Sequence, residues 1–297
     1  MYDVIVLTQE EYIAPTSVDW YIKNVLEEDN YVLEALRAEG LKAEKKDWAD
    51  PDFDWSTTKS VIFRTTWDYF DRYPEFEPWL AKVSSQCQLF NSADIIKWNI
   101  DKHYLSDLMS AGLNVAPSHF ISRGSSIPLK ELFSKTGWSQ AVLKPTISGA
   151  ARHTYRLSPA NAESHENIFA ELLAVEDMIF QEFLNDIVEF GEISLMFMGG
   201  QYTHAVRKIA KSGDFRVQDD HGGTVEIHEA SKEEIEFGLT SLAACPYEPI
   251  YARIDIVKDN NGKLSLCELE LIEPELWFRN NPKSATILAK AVKRKLT

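Results

Sequence analysis

The chain has 297 residues, 44% of them hydrophobic and 26% charged, and a formal net charge of −15. This length allows two or three subdomains with their own cores, and the composition is typical of a globular protein. The negative charge argues against nucleic acid and against an anionic membrane as partners, because their phosphates would be repelled. No run approaches the roughly 18 apolar residues of a membrane span, and the N-terminus lacks a signal-peptide pattern, so we expect a cytoplasmic protein.

The N-terminal part has the pattern of a small open sheet. An unbroken apolar run over residues 3–7 predicts a strand that is buried on both faces. The elements expected after it are a helix over residues 25–39 and strands over residues 41–48 and 60–64. This order predicts an open α/β domain over residues 1–95, whose ligands would gather at the C-terminal edge of its last strand.

Polar and aromatic side chains follow that strand. Residues 64–69 carry a guanidinium, two hydroxyls, a carboxylate and two aromatic rings, which suits a small carboxylate or zwitterionic substrate. We therefore expect substrate contacts from Arg64, Trp67, Asp68 and Tyr69. An aromatic turn packed on its own domain is an equally good interpretation, with Trp67 and Tyr69 in the core while Arg64 and Asp68 bind.

The middle of the chain contains a candidate phosphate-binding loop. A helix is predicted over residues 95–111, with Lys102 within it, and a strand over residues 140–144 ends at Lys144. Small residues over 148–151 then separate it from a strand near 154–157, and such residues let backbone N–H groups approach an anion. A tight hairpin has the same pattern. No G-x-x-x-x-G-K-[ST] motif is present, so a P-loop is excluded.

Further along, basic residues stand out in an acidic protein. After a strand over residues 178–183, the hairpin with strands over 193–198 and 201–206 leads into a cation-rich stretch that continues through Gln218 and His221 to residue 223. Its cations are Arg207, Lys208, Lys211 and Arg216, which would neutralise triphosphate or acyl-phosphate oxygens. Ser231 and Glu234 form a capping-box pattern that opens a helix to about residue 244, with a core face of Ile235, Leu239 and Leu242.

A β-hairpin is predicted near the C-terminus. Two runs rich in Val, Ile and Leu flank residues 259–262, whose Asp-Asn-Asn-Gly sequence is strong turn chemistry. We expect a register that pairs Asp255 with Leu266 and Arg253 with Glu268.

The same register pairs Tyr251 with Glu270 and brings acidic side chains together. Alternation along the strands then puts Asp255, Glu268 and Glu270 on one face with Arg253. Three carboxylates repel one another unless cations lie among them, and hard oxygen ligands suit Mg²⁺. The stretch therefore predicts a metal-bound nucleotide site, the alternative being a solvent-facing strand with ordinary charges.

Several motifs in this order resemble the ATP-grasp superfamily. They are Lys102, Lys144 with its loop, residues 181–184, Gly191 with Glu192, residues 213–218, Arg253 with Asp255, and Glu268 with Glu270. The chain is similar to the glutathione-synthetase and RimK-like carboxylate-amine ligases. Residues 64–69 and 97–102 are similar to the branch that includes D-cycloserine synthetase.

The resemblance implies a fold and a ligand set. The fold would be an α/β (α+β) ATP-grasp fold behind a Rossmann-like N-terminal domain, with domains at residues 1–95, 96–180 and 181–297. The residues implied to bind ATP are Lys102, Lys144, Ser148, Gly149, Ala150, Gln181, Glu182, Phe183, Leu184 and Glu192. Asp255, Glu268 and Glu270 would hold one or two Mg²⁺ ions. Arg216 and Arg253 would act on the reacting centre.

The implied activity is that of an ADP-forming ligase. It would use ATP to convert a small, amino-acid-like carboxylate into an acyl phosphate, which an amine then attacks. The alternatives are a ligase that closes a ring within one molecule, a non-catalytic ATP-binding module, and a kinase if the acceptor is a hydroxyl. Partners would be small molecules, and because related ligases often pair, a homodimer is left open.

Overall fold

The computed structural model describes residues 1–217 and 222–297. Gln218 and His221, which were counted with the cation-rich stretch, lie outside the described residues. Within the described ranges the strands form three sheets. No helix in those ranges is long and apolar enough to cross a membrane.

The N-terminal sheet is parallel, as its apolar strands predict. Its elements are β1 (Tyr2–Thr8), α1 (Trp20–Ala38), β2 (Ala43–Asp47), β3 (Thr58–Thr65), α2 (Tyr73–Ser84) and β4 (Gln88–Phe90), with strand order β2-β1-β3-β4. Residues 4–7 are completely buried, which confirms a strand covered on both faces. Helix α1 begins earlier than residue 25 because the Asp19 carboxylate caps it, accepting a hydrogen bond from the Ile22 N–H at 2.8 Å.

The central sheet is antiparallel. Its part of the chain contains α3 (Ala93–Asn99), α4 (Tyr104–Ser110), β5 (Ser118–Ile121), α5 (Leu129–Thr136), β6 (Ala141–Pro145), β7 (Tyr155–Leu157), α6 (Ala162–Leu173) and β8 (Met178–Glu182), with strand order β5-β8-β6-β7. The single helix expected over residues 95–111 is wrong, because the chain breaks between α3 and α4. Lys102 lies in that break, where its backbone N–H donates to the Thr146 carbonyl at 3.0 Å rather than to a helical carbonyl.

The C-terminal sheet is also antiparallel, with strand order β11-β10-β9-β12-β13. Its elements are α7 (Asp186–Glu189), β9 (Glu192–Met198), β10 (Gln201–Ile209), β11 (Thr224–His228), α8 (Lys232–Ala243), β12 (Tyr251–Lys258), β13 (Leu264–Glu270) and α9 (Lys283–Leu296). The predicted domain boundary after residue 180 cuts through β8, so a division after residue 182 fits the sheets better. The three-domain division itself stays a proposal.

Helix α8 begins with the predicted capping box, but its buried face differs from the predicted one. The Ser231 hydroxyl and the Glu234 carboxylate each accept a hydrogen bond from the other residue's backbone N–H. Leu239 is 43% exposed, whereas Gly238 is buried. A Cβ atom at Gly238 would lie 2.7 Å from the Phe197 ring, so the small residue is what lets the helix approach the sheet.

The predicted register of the β12–β13 hairpin is wrong by two residues. Asp255 pairs with Glu268 and Arg253 with Glu270, and a bulge at Cys267 separates these pairs from the one between Ile256 and Leu266. Because side chains alternate with a period of two, a two-residue offset keeps the same side chains on the same face. The bulge accounts for one residue of this offset, since an extra residue in one strand cannot be seen in the hydrophobic pattern. The other residue arises on the turn side of the bulge, where Ile256 pairs with Leu266 instead of Ser265.

Asn91, at the end of the N-terminal sheet, ties that sheet to the C-terminal hairpin. Its side-chain amide donates to the Tyr251 carbonyl at 2.9 Å and to the Leu271 carbonyl at 2.7 Å, while its oxygen accepts from the Ile250 N–H. One hydrophobic cluster also contains residues of both sheets, including Val4 and Met196. These contacts fix the end of the acidic hairpin against the N-terminal domain.

Candidate active site

A cleft of about 510 Å³ lies where the three sheets meet. Trp67 and Tyr69 line it from the N-terminal part, Lys144 from the central sheet, and Glu268 and Glu270 from the C-terminal hairpin. The structure therefore brings together residues that lie far apart in the sequence, such as Trp67 and Glu270.

Asp255 is the most enclosed of the three predicted metal ligands. Its side chain is 2% exposed, and it accepts hydrogen bonds from the Ser194 hydroxyl at 2.6 Å, Arg253 Nη2 at 2.9 Å and Lys208 Nζ at 3.2 Å. Burial alone would raise the pKa of Asp255, but the Arg253 guanidinium and the Lys208 ammonium outweigh it and hold the pKa at about 2. Asp255 is therefore a permanent anion that two cations neutralise.

Glu268 and Glu270 face the cleft more openly. Glu268 lies 3.1 Å from Lys102 Nζ and 4.0 Å from Lys144 Nζ, and these ammonium groups overcome burial to lower its pKa to about 2. Burial raises the pKa of Glu270 to about 7, against the attraction of Arg253, with which Glu270 forms an ion pair. Each of the two carboxylates is 29% exposed at its side chain.

The donor chemistry of this face fits Mg²⁺. Three carboxylates lie on neighbouring strands, and two of them are open to the cleft. As the side chains stand, no group of three acidic, histidine or cysteine residues in the described ranges is arranged to hold a metal ion. Lysine and arginine side chains form ion pairs with these carboxylates instead. The metal role of Asp255, Glu268 and Glu270 therefore stays a prediction.

The predicted phosphate loop lines the cleft beside both lysines. Lys102 Nζ donates to the Ser148 carbonyl at 2.6 Å, and Lys144, Ser148, Gly149 and Ala150 all face the cavity. Ala150 has the left-handed φ of 47°, which brings its backbone into a conformation that non-glycine residues rarely adopt. A Cβ atom at Gly149 would lie 2.6 Å from the Phe70 ring, so glycine is required for this close approach.

The predicted adenine hinge also lines the cleft. Residues 181–184 face the cavity, with the Gln181 amide donating to the Ser118 hydroxyl at 3.0 Å. The N–H groups of Glu182 and Phe183 donate to the carbonyls of Pro117 and Gln140. Those two donors are engaged within the protein, and the Phe183 carbonyl accepts a hydrogen bond from the Asn260 amide at 3.1 Å.

Glu192 and Arg216 line the cleft, and each forms an ion pair with a neighbouring residue. Glu192, predicted to bind the ribose, is buried and forms an ion pair with Lys208, and burial raises its pKa. Arg216 Nη2 lies 2.7 Å from an Asp214 carboxylate oxygen. Both predicted roles stay untested.

Arg64 is not brought to the cleft, which corrects the expected substrate contact. Its side chain is completely buried, its Nη2 donates to the Pro274 carbonyl at 2.6 Å, and its guanidinium lies between the rings of Tyr251 and Phe278. The guanidinium turns inward because it supplies the donor that the Pro274 carbonyl needs. Arg64 is a core residue, whereas Trp67 lines the cleft, the reverse of the proposed division.

The neighbouring residues Asp68 and Tyr69 do line the cleft. The Asp68 carboxylate accepts hydrogen bonds from Trp48 Nε1 and Arg72 Nη1, each at 2.7 Å, so it is already satisfied. Tyr69 is buried, and burial together with the neighbouring Glu273 carboxyl raises the pKa of its hydroxyl well above the usual range.

Sequence reasoning missed two functional candidates. The sequence marks Lys208 only as one of several cations, but the structure buries it between Glu192 and Asp255. Its place could have been found from the β9–β10 register, which pairs it with Glu192. Glu273 gives no such signal in the sequence, because it follows the end of β13, where strand alternation no longer indicates the direction of a side chain.

Comparisons with known proteins show which families the sequence matches. Residues 4–91 match the family model of the D-cycloserine synthetase DcsG N-terminal domain, and residues 149–274 match the RimK-like ATP-grasp domain. The cycloserine biosynthesis protein DcsG of Streptomyces lavendulae is 29% identical over 283 residues, which are 89% of this chain and 92% of that protein.

Solved structures give the same result. The crystal structure of D-cycloserine synthetase DcsG superposes with a TM-score of 0.86 at 25% identity, covering 99% of each chain. The D-alanine–D-alanine ligase of Bacillus anthracis shares the fold, with a TM-score of 0.70 at 13% identity over 100% of this chain and 97% of that one. Residues 149–274 therefore form a RimK-like ATP-grasp domain behind an N-terminal domain of the D-cycloserine synthetase type, and the relatives that this chain resembles are ATP-grasp ligases.

Proposed function

We propose that this ligase forms ADP and joins a small carboxylate, activated as an acyl phosphate, to an amine. The observation that carries the proposal is the arrangement of Glu268 and Glu270 on one cleft wall with Arg253, Lys102 and Lys144. Positive and negative groups alternate there within 4.0 Å of one another, as is needed where phosphate oxygens and metal ions must both be held.

ATP would occupy the cleft from the hinge to the acidic face. The adenine would lie at residues 181–184, and Glu192 would contact the ribose. Lys102 and Lys144 would turn from Glu268 to the phosphates, whose oxygens also attract the N–H groups of residues 148–150.

Asp255, Glu268 and Glu270 would hold one or two Mg²⁺ ions. When bound, Mg²⁺ neutralises phosphate oxygens and so favours phosphoryl transfer. Lys208 and Arg253 both form ion pairs with the Asp255 carboxylate. A metal ion bound by Asp255 would therefore share this carboxylate with the two cations.

The reaction would proceed in two steps, phosphoryl transfer to the carboxylate and then attack by the amine. A carboxylate oxygen of the substrate attacks the γ-phosphorus of ATP, the bond to the bridging oxygen breaks, and ADP leaves with its electron pair. The amine nitrogen then attacks the acyl carbon, the bond to phosphate breaks, and the nitrogen loses a proton as the amide forms. Arg253 and Arg216 would stabilise the oxyanion of the second step, and losing such a donor costs about 10²–10³ in rate.

The substrates would be amino-acid-like small molecules. A ligase that closes a ring within one substrate is the second candidate, and the match of residues 4–91 to the N-terminal domain of D-cycloserine synthetase favours it. Pairing into a homodimer stays a prediction.

A coupled ADP assay tests the proposal. Amino acids are supplied singly and in pairs with ATP and Mg²⁺, and the product masses are measured. ADP release that needs a carboxylate and an amine supports the ligase, and a single substrate that loses one water indicates cyclisation. A phosphorylated product without free phosphate indicates a kinase, and tight ATP binding without turnover indicates a binding module.

A further inference from the structure

The acidic residues that line the cleft differ in whether a cation accompanies them. They are Asp68, Asp71, Glu182, Glu192, Glu268, Glu270, Glu273 and Glu275. All but two have a lysine or arginine nitrogen within 3.5 Å. Within residues 1–217 and 222–297, the two that form no such ion pair are Glu182, at the hinge, and Glu273.

Glu182 and Glu273 are held in different ways. The Glu182 carboxylate accepts a hydrogen bond from the Asn260 amide at 3.0 Å, at the predicted adenine end of the cleft. Glu273 lies at the opposite, N-terminal-domain side, where its carboxyl neighbours the Tyr69 hydroxyl. The Glu273 backbone carbonyl accepts from Trp67 Nε1 at 2.8 Å, so residues of two domains fix its position.

An acid without a cation in a half-buried site carries a free-energy cost. Burial raises the pKa of Glu273 to about 8, and the nearby Glu270 adds to this effect. A neighbouring hydroxyl compensates only partly for the water that a carboxylate loses on burial. Burial thus favours the protonated form of this carboxyl, and a cationic ligand in the cleft would favour the ionised form and pair with it.

Aromatic rings border the same part of the cleft. The ring of Trp67 lies 6.0 Å from the ring of Tyr12 and 6.4 Å from that of Tyr21, and all three residues line the cavity. We call these three residues the aromatic wall. The face of an aromatic ring attracts a cation, so the wall and Glu273 favour the same kind of ligand group.

We propose that Glu273 binds the ammonium group of an amino-acid substrate, next to the aromatic wall of Tyr12, Tyr21 and Trp67. The inference rests on the proposed ligase function and deepens it by assigning a residue to the ammonium group of the substrate. Glu273 is a specificity residue in this account: it selects substrates that carry an ammonium group, while the acidic face and Arg253 serve the reacting carboxyl.

The test compares amino acids with analogues that lack the ammonium group. The probes are the D and L forms of alanine and serine and the matching hydroxy acids, lactate and glycerate, titrated calorimetrically with Mg²⁺ and a non-hydrolysable ATP analogue present. We expect the wild type to bind at least one amino acid about tenfold or more tightly than its hydroxy acid, as for a charge-assisted hydrogen bond. Glu273→Gln should reduce that preference to about threefold or less without changing nucleotide affinity.

Two further variants separate the charge of Glu273 from other effects. Glu273→Asp keeps the charge on a shorter side chain and should retain part of the preference, which also covers the case in which Glu273→Gln does not fold. Asp71→Asn removes a cleft acid that already pairs with Arg152 at 3.5 Å, and it should leave the preference unchanged. Thermal unfolding monitors the fold of each variant.

The inference is overturned if Glu273→Gln keeps the full preference, or if no amino acid of the panel binds the wild type better than its hydroxy acid. ADP release measured in parallel distinguishes this failure from that of the ligase proposal. Turnover with an unchanged preference in Glu273→Gln contradicts only the role of Glu273. A lost preference in that variant, without ADP release from the wild type on any substrate, contradicts only the ligase reaction.

Discussion

At the residue scale, the site depends on how charges are matched. Asp255 is surrounded by Ser194, Lys208 and Arg253, whereas Glu268 is open to the cleft and is flanked by two lysines. The Glu268 carboxylate is therefore the more accessible of the two to ATP and Mg²⁺ in the cleft.

Glu268→Gln tests that role. It keeps the shape of the side chain but removes the charge, so we expect ADP formation that depends on Mg²⁺ to fall by about 10²-fold or more. Circular dichroism and thermal unfolding should show that the fold persists. Glu226→Gln is the matched control, because Glu226 is an exposed acid that pairs with Arg207 on the same sheet. Activity of Glu268→Gln close to that of the wild type would contradict the assignment.

Arg64→Ala tests the correction to the sequence prediction. Arg64 lies between two aromatic rings and donates to the Pro274 carbonyl, so its loss should lower the free energy of unfolding by about 3 kcal/mol. Arg64→Met, which keeps most of the volume, should cost less. Denaturant unfolding measures both. Unchanged stability together with a selective loss of substrate affinity would instead restore the original substrate role.

At the element scale, the phosphate loop packs closely on the N-terminal domain, and helix α1 carries a buried acid. The loop after β6 packs against Phe70 of the N-terminal domain, so its place depends on a glycine. Helix α1 buries Asp29, which accepts a hydrogen bond from the Thr65 hydroxyl at 2.8 Å and lies 3.5 Å from Lys45 Nζ.

Gly149→Ala should weaken ATP binding. The added methyl group would lie 2.6 Å from Phe70 Cε1, so either the ring or the loop must move. We expect a loss of roughly three- to tenfold in ATP affinity, the equivalent of about one hydrogen bond. Phe70→Leu in the same chain should restore much of it by making room. Titration with ATP measures the effect, and an unchanged affinity in Gly149→Ala would show that the loop does not need this contact.

Asp29→Asn should change how stability depends on pH. Burial raises the pKa of Asp29 from 3.8 to about 6, against the attraction of the Lys45 ammonium and the hydrogen bond from Thr65. The folded chain therefore holds the proton more tightly than the unfolded chain, and Asp29 lowers stability as the pH rises from about 4 to 6. The free energy of unfolding of the wild type, relative to Asp29→Asn, should fall by about 2 to 3 kcal/mol across that window. Denaturant unfolding at several pH values tests this, and a flat or rising difference would contradict it.

At the scale of the whole molecule, the cleft exists because three sheets meet. The apolar runs and turn residues of the sequence predict most strands, including β1 and the hairpin that carries Glu268 and Glu270. They do not reveal the bulge at Cys267 or the break between α3 and α4, because both depend on contacts made after folding.

The same limit applies to the direction of single side chains. The burial of Arg64 against Pro274, and the pairing of Lys208 with Glu192 and Asp255, follow from packing between distant segments. The local sequence pattern shows that these residues are charged and lie near a strand end, but it does not predict which groups their side chains contact.

The central claim is that the cleft couples ATP cleavage to the joining of a carboxylate and an amine. Product masses from the coupled ADP assay test it most directly. We predict that each ADP released is accompanied by one free phosphate and by a product that has lost one water relative to its substrate or substrates. A stable phosphorylated product, or tight ATP binding with no ADP release on any amino acid or pair, would contradict the account.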